Sequence, residues 1–236
     1  IFASVTAGIG NSIVVETKEK NFNDLRKFTF IIAWIAGICT SCFLCLFQPF
    51  MRLWVGKDLL LDYSIVICLG IYFFIYELNQ LLNTYKDAAG IWHEDRFRPL
   101  VTALTNLTLN LISVQFIGLY GVVLSTVLSM LFVGMPWLLH NLFTTLFDKK
   151  YLVPYLKKLV RYVIVVFISC VITFPVCSLF HLPDILLIVV RLACCCIIPN
   201  IIFFLAYRNM EEFKLSVQLA DKMTKGKIRL LKKIGA

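Results

Sequence analysis

Residues 87–131 read DAAGIWHEDRFRPL, then VTALTNLTLNLISVQFIG, then LYGVVLSTVLSML. This is a charged loop followed by two apolar stretches with a turn between them too short to travel far from a bilayer. Each stretch carries small and amide side chains where a lipid-facing helix would carry Leu. Helices of that composition face a cavity or another helix. The loop holds Arg96 and Arg98, follows Lys86, and closes on Pro99, which suits a first helical turn because it has no N–H to leave unpaired. The stretch therefore predicts two membrane spans, residues 100–116 and 120–142.

Composition extends this reading to the whole chain. Of 236 residues 60% are hydrophobic and 16% charged, and the mean hydropathy is +0.84. One soluble core could not hide that much apolar surface, which predicts an all-α, polytopic helical membrane protein. The apolar runs are too long and too little alternating for the strands of a barrel. Residues 28–50, 62–85, 162–180 and 185–207 have the length needed to cross a hydrocarbon layer of about 30 Å. With residues 1–15 as the end of another helix, the count is one partial and six complete transmembrane helices. The chain starts at Ile1 inside an apolar run, which reads as a piece whose N-terminal part is missing. The expected organisation is a transmembrane helical lobe over residues 1–207 and a cytoplasmic, basic amphipathic tail over 208–236.

The charge distribution tests the span count. All but three of the 23 Lys and Arg fall in residues 16–27, 86–99, 148–161 and the tail, the exceptions being Arg52, Lys57 and Arg191. These are alternate gaps, and one missed or invented helix would scramble the alternation. Lys and Arg are retained on the cytoplasmic side, so these gaps and the C-terminus are expected to be cytoplasmic. The same distribution argues against nucleic acid as the partner of the +9 net charge.

Two polar faces stand out. Glu77 is the one acidic residue deep in a span. Together with Asn79, Gln80, Asn83, Thr84 and Asp87 it covers roughly 160° of one helix face. Lipid penalises such a face, so it looks into protein or water. It reads either as a cavity wall contacting sugar hydroxyls, with Glu77 as a proton or cation site, or as a packing contact with Glu77 paired or protonated. Thr102, Thr105, Asn106, Asn110 and Ser113 share a second face, where amides serve sugar binding or helix cross-linking. Lys86, Arg96 and Arg98 stand at the cytoplasmic mouth, where they are candidates for attracting an anionic head group as well as setting topology. Arg191 lies about 9 Å into the last span at 1.5 Å per residue, able to reach a diphosphate in a cavity or to snorkel to the interface.

Catalytic and metal signals are weak. His93, His140 and His181 are scattered, no phosphate-cradling glycine loop precedes a helix, and no cofactor is implied. The nine cysteines fall almost wholly inside apolar runs and read as small apolar fillers. Cys42 and Cys45 form a C-x-x-C, but in mid-span it lacks the electropositive setting that makes a thiol reactive. In the tail, Met210, Phe213, Val217 and Ala220 share one face before a break at Gly226, a pattern suited to a helix on anionic lipid.

The order of these motifs also resembles a known family. Asp95, Arg96, Arg98 and Pro99, then Asn106 and Asn110, Gly118 and Gly121, and Ser125 and Thr126 are similar to the C-terminal half of bacterial polysaccharide flippases. These are the O-antigen or capsule-unit exporters of the multidrug/oligosaccharidyl-lipid/polysaccharide superfamily. Thr6, Gly8, Gly10, Asn11 and Glu16 in VTAGIGNSIVVE agree, as do Pro49, Phe50, Leu53, Trp54 and Gly56 in PFMRLWVGKD. The resemblance implies the C-terminal lobe of a non-enzymatic transporter in the bacterial cytoplasmic membrane. It also implies fourteen spans in the longer members and alternating access of two lobes. The implied substrate is an undecaprenyl-diphosphate-linked repeat unit, moved to the outer leaflet for surface polysaccharide synthesis, with a proton or cation as coupling ion. Two other classes stay open: a membrane-embedded polymerase or ligase of the same pathway, which would carry a long outer loop with Arg or His, and a drug/cation antiporter of the same superfamily.

Overall fold

The computed structural model of the protein describes residues 2–223, and every regular element among them is helical. The order is α1 (Phe2–Val15), α2 (Lys18–Trp54), α3 (Tyr63–Ala88), α4 (Arg98–Ser129), a π segment (Met130–Gly134), α5 (Met135–Thr145), a 3-10 turn (Lys149–Tyr151), α6 (Leu152–Ser178), α7 (Asp184–Tyr207) and α8 (Glu211–Met223). Five helical stretches are long and apolar enough to cross a membrane: Lys18–Trp54, Tyr63–Ala88, Arg98–Thr145, Lys149–Ser178 and Ile185–Tyr207.

The third stretch contains both of the spans expected at 100–116 and 120–142, and it breaks at Gly118. That residue has φ 55° and ψ −137°, a conformation closed to residues with a Cβ. The chain doubles back there, as contacts between the two arms show. Asn106 Nδ2 donates to Thr126 Oγ1 at 3.2 Å and to Ser129 Oγ at 3.3 Å, and Ser125 Oγ to Ser113 Oγ at 3.4 Å. Close approach depends on Gly121, where a Cβ would lie 2.7 Å from the Ser113 carbonyl oxygen. Backbone cannot rotate out of the way as a side chain can. Gly121→Val is therefore expected to part the arms. A disulfide engineered by Ser113→Cys and Ser125→Cys should form in the parent and be lost with Gly121→Val, as read by mass spectrometry.

Where the second arm reaches Pro136, the missing N–H and the ring together disturb the helical ladder. The ladder adjusts by widening, and Met135 N–H reaches back five residues to the Met130 carbonyl.

At the centre is α2, packed by α3, α6, α7 and α8. Its start is set by Thr17, whose Oγ1 accepts from Lys20 N–H at 3.3 Å, with Glu19 in the first turn. Phe22, Phe30 and Leu25 of α2 meet Tyr85, Phe143, Phe147, Tyr155, Tyr162 and Tyr207 in one buried aromatic cluster. At 37 residues α2 is longer than a span requires, and its charged first turns stand beyond the apolar part.

The described parts of the four basic gaps gather at one end of the bundle. Lys18 is 3.9 Å from Asp148, Arg26 meets α8, and the α3–α4 loop meets α5. At the other end Gln48, Tyr63 and Phe174 come together, with Tyr63 stacked on Phe174 at 5.1 Å. Much of the outer surface is apolar, including Leu104, Leu107, Leu111, Phe167, Val171, Ile185 and Ile201. An apolar surface of that extent suits lipid and not water.

The apolar face of α8 rests on α2. Phe213 stacks on Trp34 at 5.9 Å and meets Phe30 edge-on at 6.3 Å, and Met210, Phe213 and Val217 are buried. So this face, which the sequence suits to lipid, is turned to protein along the described part of the tail. The break expected at Gly226 and the basic residues after it lie outside the described residues.

Candidate functional site

The α3–α4 loop is built around one carboxylate. Asp95 is 3% exposed and accepts two bonds from Arg98, Nε to Oδ1 at 2.6 Å and Nη2 to Oδ2 at 2.7 Å. Asn141, on α5, donates Nδ2 to Asp95 Oδ1 at 3.0 Å and to the Glu94 carbonyl at 3.3 Å. Lys86 Nζ lies 3.6 Å from Asp95 Oδ2 and 2.7 Å from Asp87 Oδ1, and sits 4.1 Å from the centroid of the Trp92 ring. Arg98 Nη2 also donates to Asn83 Oδ1 at 2.9 Å. Taking Lys86 and Arg98 out of water is costly, and a bidentate carboxylate with further amide partners offsets the cost.

The four basic candidates for a head group are thus not one cluster. Lys86 and Arg98 share Asp95 inside the protein. Arg96 is exposed beside them, over Phe97 at 4.7 Å and 3.3 Å from His93 Nε2. Arg191 is at the opposite end, where its Nη1 donates to the Cys45 carbonyl at 3.2 Å while its Nε is buried without a partner.

On α3 the polar face divides into a satisfied part and an unsatisfied part. Asn83 spends its oxygen on Arg98 and donates to the Asn79 backbone carbonyl at 3.1 Å. Thr84 donates to the Gln80 carbonyl at 2.8 Å. Higher up, Asn79 is buried with no partner for its Oδ1. Glu77 is half-buried and makes no hydrogen bond or ion pair among the described residues. The Gln80 side chain is half-buried beside them.

The second polar face holds the two arms of α4 together. Asn106 bonds across to Thr126 and Ser129, Asn110 Nδ2 donates to Asn106 Oδ1 at 3.0 Å, and Asn110 Oδ1 is left without a partner. Asn106 and Asn110 are therefore separated in role from the α3 face.

Two features were hidden from sequence reasoning. Asn141 gave no signal except as an amide in an apolar helix, although Asp95 and Arg98 stand at the i, i+3 spacing that brings side chains together on a helical turn. The sulfur atoms of Cys45, Cys177 and Cys195, from three helices, lie within 4.8 Å of one another. They are the one group of metal-ligating side chains found among the described residues.

Taken together, an all-helical chain with five long apolar stretches, an apolar exterior and polar groups set at span depth defines a membrane-spanning helical protein. No family model, curated protein or solved structure matches the chain.

Proposed function

We propose that the chain is the C-terminal lobe of a flippase that carries lipid-linked oligosaccharide repeat units across the bacterial cytoplasmic membrane. In this reading the two arms joined at Gly118 are separate crossings, giving one partial and six complete spans. The end that gathers Lys18, Arg26, Lys86 and Lys158 faces the cytoplasm, as the retention of Lys and Arg requires. The substrate is an undecaprenyl-diphosphate-linked saccharide, and membrane lipids surround the apolar exterior.

The observation that carries the reading is the unsatisfied part of the α3 face. An ionised carboxylate at span depth costs ~2.5–3.5 kcal/mol on insertion scales. Nothing in the described chain neutralises Glu77, which is only half-buried, as is Gln80 beside it. A carboxylate left so in a membrane faces a water-filled cavity or a partner beyond this lobe, and a sugar passing through needs such hydroxyl-binding groups. Glu77 is assigned the part of proton or cation site that responds as the lobes rock.

Cysteine labelling tests the cavity. With native thiols replaced, Glu77→Cys and Gln80→Cys, at half-buried positions, should react with a membrane-impermeant maleimide in the full-length protein. Thr173→Cys, at a position wholly buried between helices, should not. Protection of both Glu77→Cys and Gln80→Cys would reduce the face to helix packing.

A further inference from the structure

Three thiols from three helices converge on the end of the bundle away from the basic loops. Cys45 of α2, Cys177 of α6 and Cys195 of α7 are 2%, 1% and 0% exposed. Their Sγ atoms all lie within 4.8 Å of one another, and Cys177 and Cys195 are 4.0 Å apart. Cys42, one turn before Cys45, and Cys194 pack against the trio. Filling apolar space asks only that a cysteine be small, and places no demand on where its sulfur points. Here the sulfurs point at one another.

The spacing is close to that of a trigonal metal centre. A metal–sulfur bond of about 2.3 Å puts three sulfurs in a plane about 4.0 Å apart. Arg191 supplies the charge such a centre needs. Its guanidinium is tied to the Cys45 carbonyl, the Arg191 carbonyl lies 4.0 Å from Cys177 Sγ, and its Nε is buried with no partner. The thiolate is the form that binds metal, and Arg191, held to the backbone of one ligand residue, is the cation placed to balance it. Two thiolates, one monovalent cation and Arg191 sum to zero charge in an apolar surround. Zinc fits less well, since its structural sites take four ligands in a tetrahedron, and three sulfurs converge here. Cys42, which packs against the trio, also lines an apolar groove together with Cys39, Met51 and Trp54, so further soft sulfur donors lie beside the site.

We propose that Cys45, Cys177 and Cys195 bind a soft monovalent cation of the Cu(I) or Ag(I) class, with Arg191 as the charge-balancing residue. Soft thiolate donors select Cu(I) among the common metals. Binding releases a proton from each thiol that becomes a thiolate, and the metal keeps its oxidation state, so no electron acceptor is needed. The bound ion would join α2, α6 and α7 at one point.

The test is a titration of the reduced, purified full-length protein with Cu(I) under anaerobic conditions, in competition with a copper(I) chelator. The wild type should retain one copper per chain, with X-ray absorption showing sulfur alone around the metal at about 2.3 Å. Cys45→Ala and Cys195→Ala should lower affinity by at least about 100-fold, and Arg191→Gln, which spares every ligand, by about tenfold. Cys39→Ala, at an exposed position, should leave the site on the trio intact. If the alanine variants do not fold, the wild-type absorption spectrum and Arg191→Gln decide the matter. A wild type that yields its copper to the chelator, nitrogen or oxygen around the metal, or affinity unchanged in Cys45→Ala and Cys195→Ala would overturn the assignment. So would a Cys177–Cys195 disulfide in protein isolated in air that, once reduced, holds no copper.

Discussion

Asp95→Asn is expected to deplete the folded protein from the membrane. The change keeps the shape but replaces one acceptor oxygen with an NH2 group that meets the donors of Arg98 or Asn141, and it leaves Lys86 and Arg98, 7% and 8% exposed, without their shared countercharge. Breaking a buried pair from one side costs roughly 3–5 kcal/mol, a large share of the ~5–15 kcal/mol that holds a domain together. Abundance and thermal aggregation in mild detergent are the measurements. Arg96→Gln, a few ångströms away on the surface, should change neither. The double change Asp95→Leu with Arg98→Met should recover part of the loss, because replacing both partners by apolar groups is often neutral. Normal abundance of Asp95→Asn would mean that the loop is held by its apolar contacts instead.

Glu212→Gln should release α8 from α2. Glu212 is 1% exposed and accepts Arg26 Nε at 2.9 Å and Nη2 at 2.6 Å, and a bond from Lys158. Burial alone would raise its pKa, but the bonds from Lys158, the backbone and Arg26 outweigh it and hold the carboxyl below the ordinary glutamate range. A depressed carboxyl stabilises the folded state at pH above its unfolded value, about 4.3. That contribution is lost as pH falls through the folded value. Docking of α8 is therefore expected to be pH-independent near neutrality and to fail in acid, below about pH 4.3. Loss of charged hydrogen bonds costs roughly 1.5–3 kcal/mol each. Limited proteolysis between α7 and α8 should accelerate in Glu212→Gln at neutral pH and in the wild type only in acid. Equal protection of both proteins at neutral pH would leave the latch to Phe213, Val217 and the bond from Arg26 to Glu211 at 2.8 Å.

The helices were legible because length and hydropathy alone decide them. The alternation of Lys and Arg placed the four basic gaps on one side, and contacts such as Lys18 with Asp148 and Arg26 with Glu212 gather their described parts at one end. The turn at Gly118 was legible too, since two glycines three residues apart between apolar runs leave few other conformations. What periodicity cannot supply is the partner of a face. The amides at Asn106 and Asn110 announced a contact without saying that the contact was the other arm of the same hairpin. Lys86 and Arg98 read as mouth residues because Asp95 was counted as loop charge, and Asn141 lies 46 residues further on. The α8 face looked suited to lipid because an apolar stripe carries no mark of whether lipid or Trp34 will cover it. Cysteine spacing in the chain likewise gave no sign of the trio, whose members are brought together from three helices by packing alone.

We propose that this lobe moves a lipid-linked saccharide, with Glu77 in its path. The direct measurement follows newly made lipid-linked repeat units in spheroplasts treated with membrane-impermeant periodate, which oxidises sugars only on the outer leaflet. Cells carrying the full-length protein should expose the units to periodate. Cells lacking the gene, or carrying Glu77→Gln at normal abundance, should accumulate them protected inside. Units that reach the outer leaflet at the same rate without the gene would contradict the claim, and full exposure in Glu77→Gln alone would remove the charge at Glu77 from the mechanism.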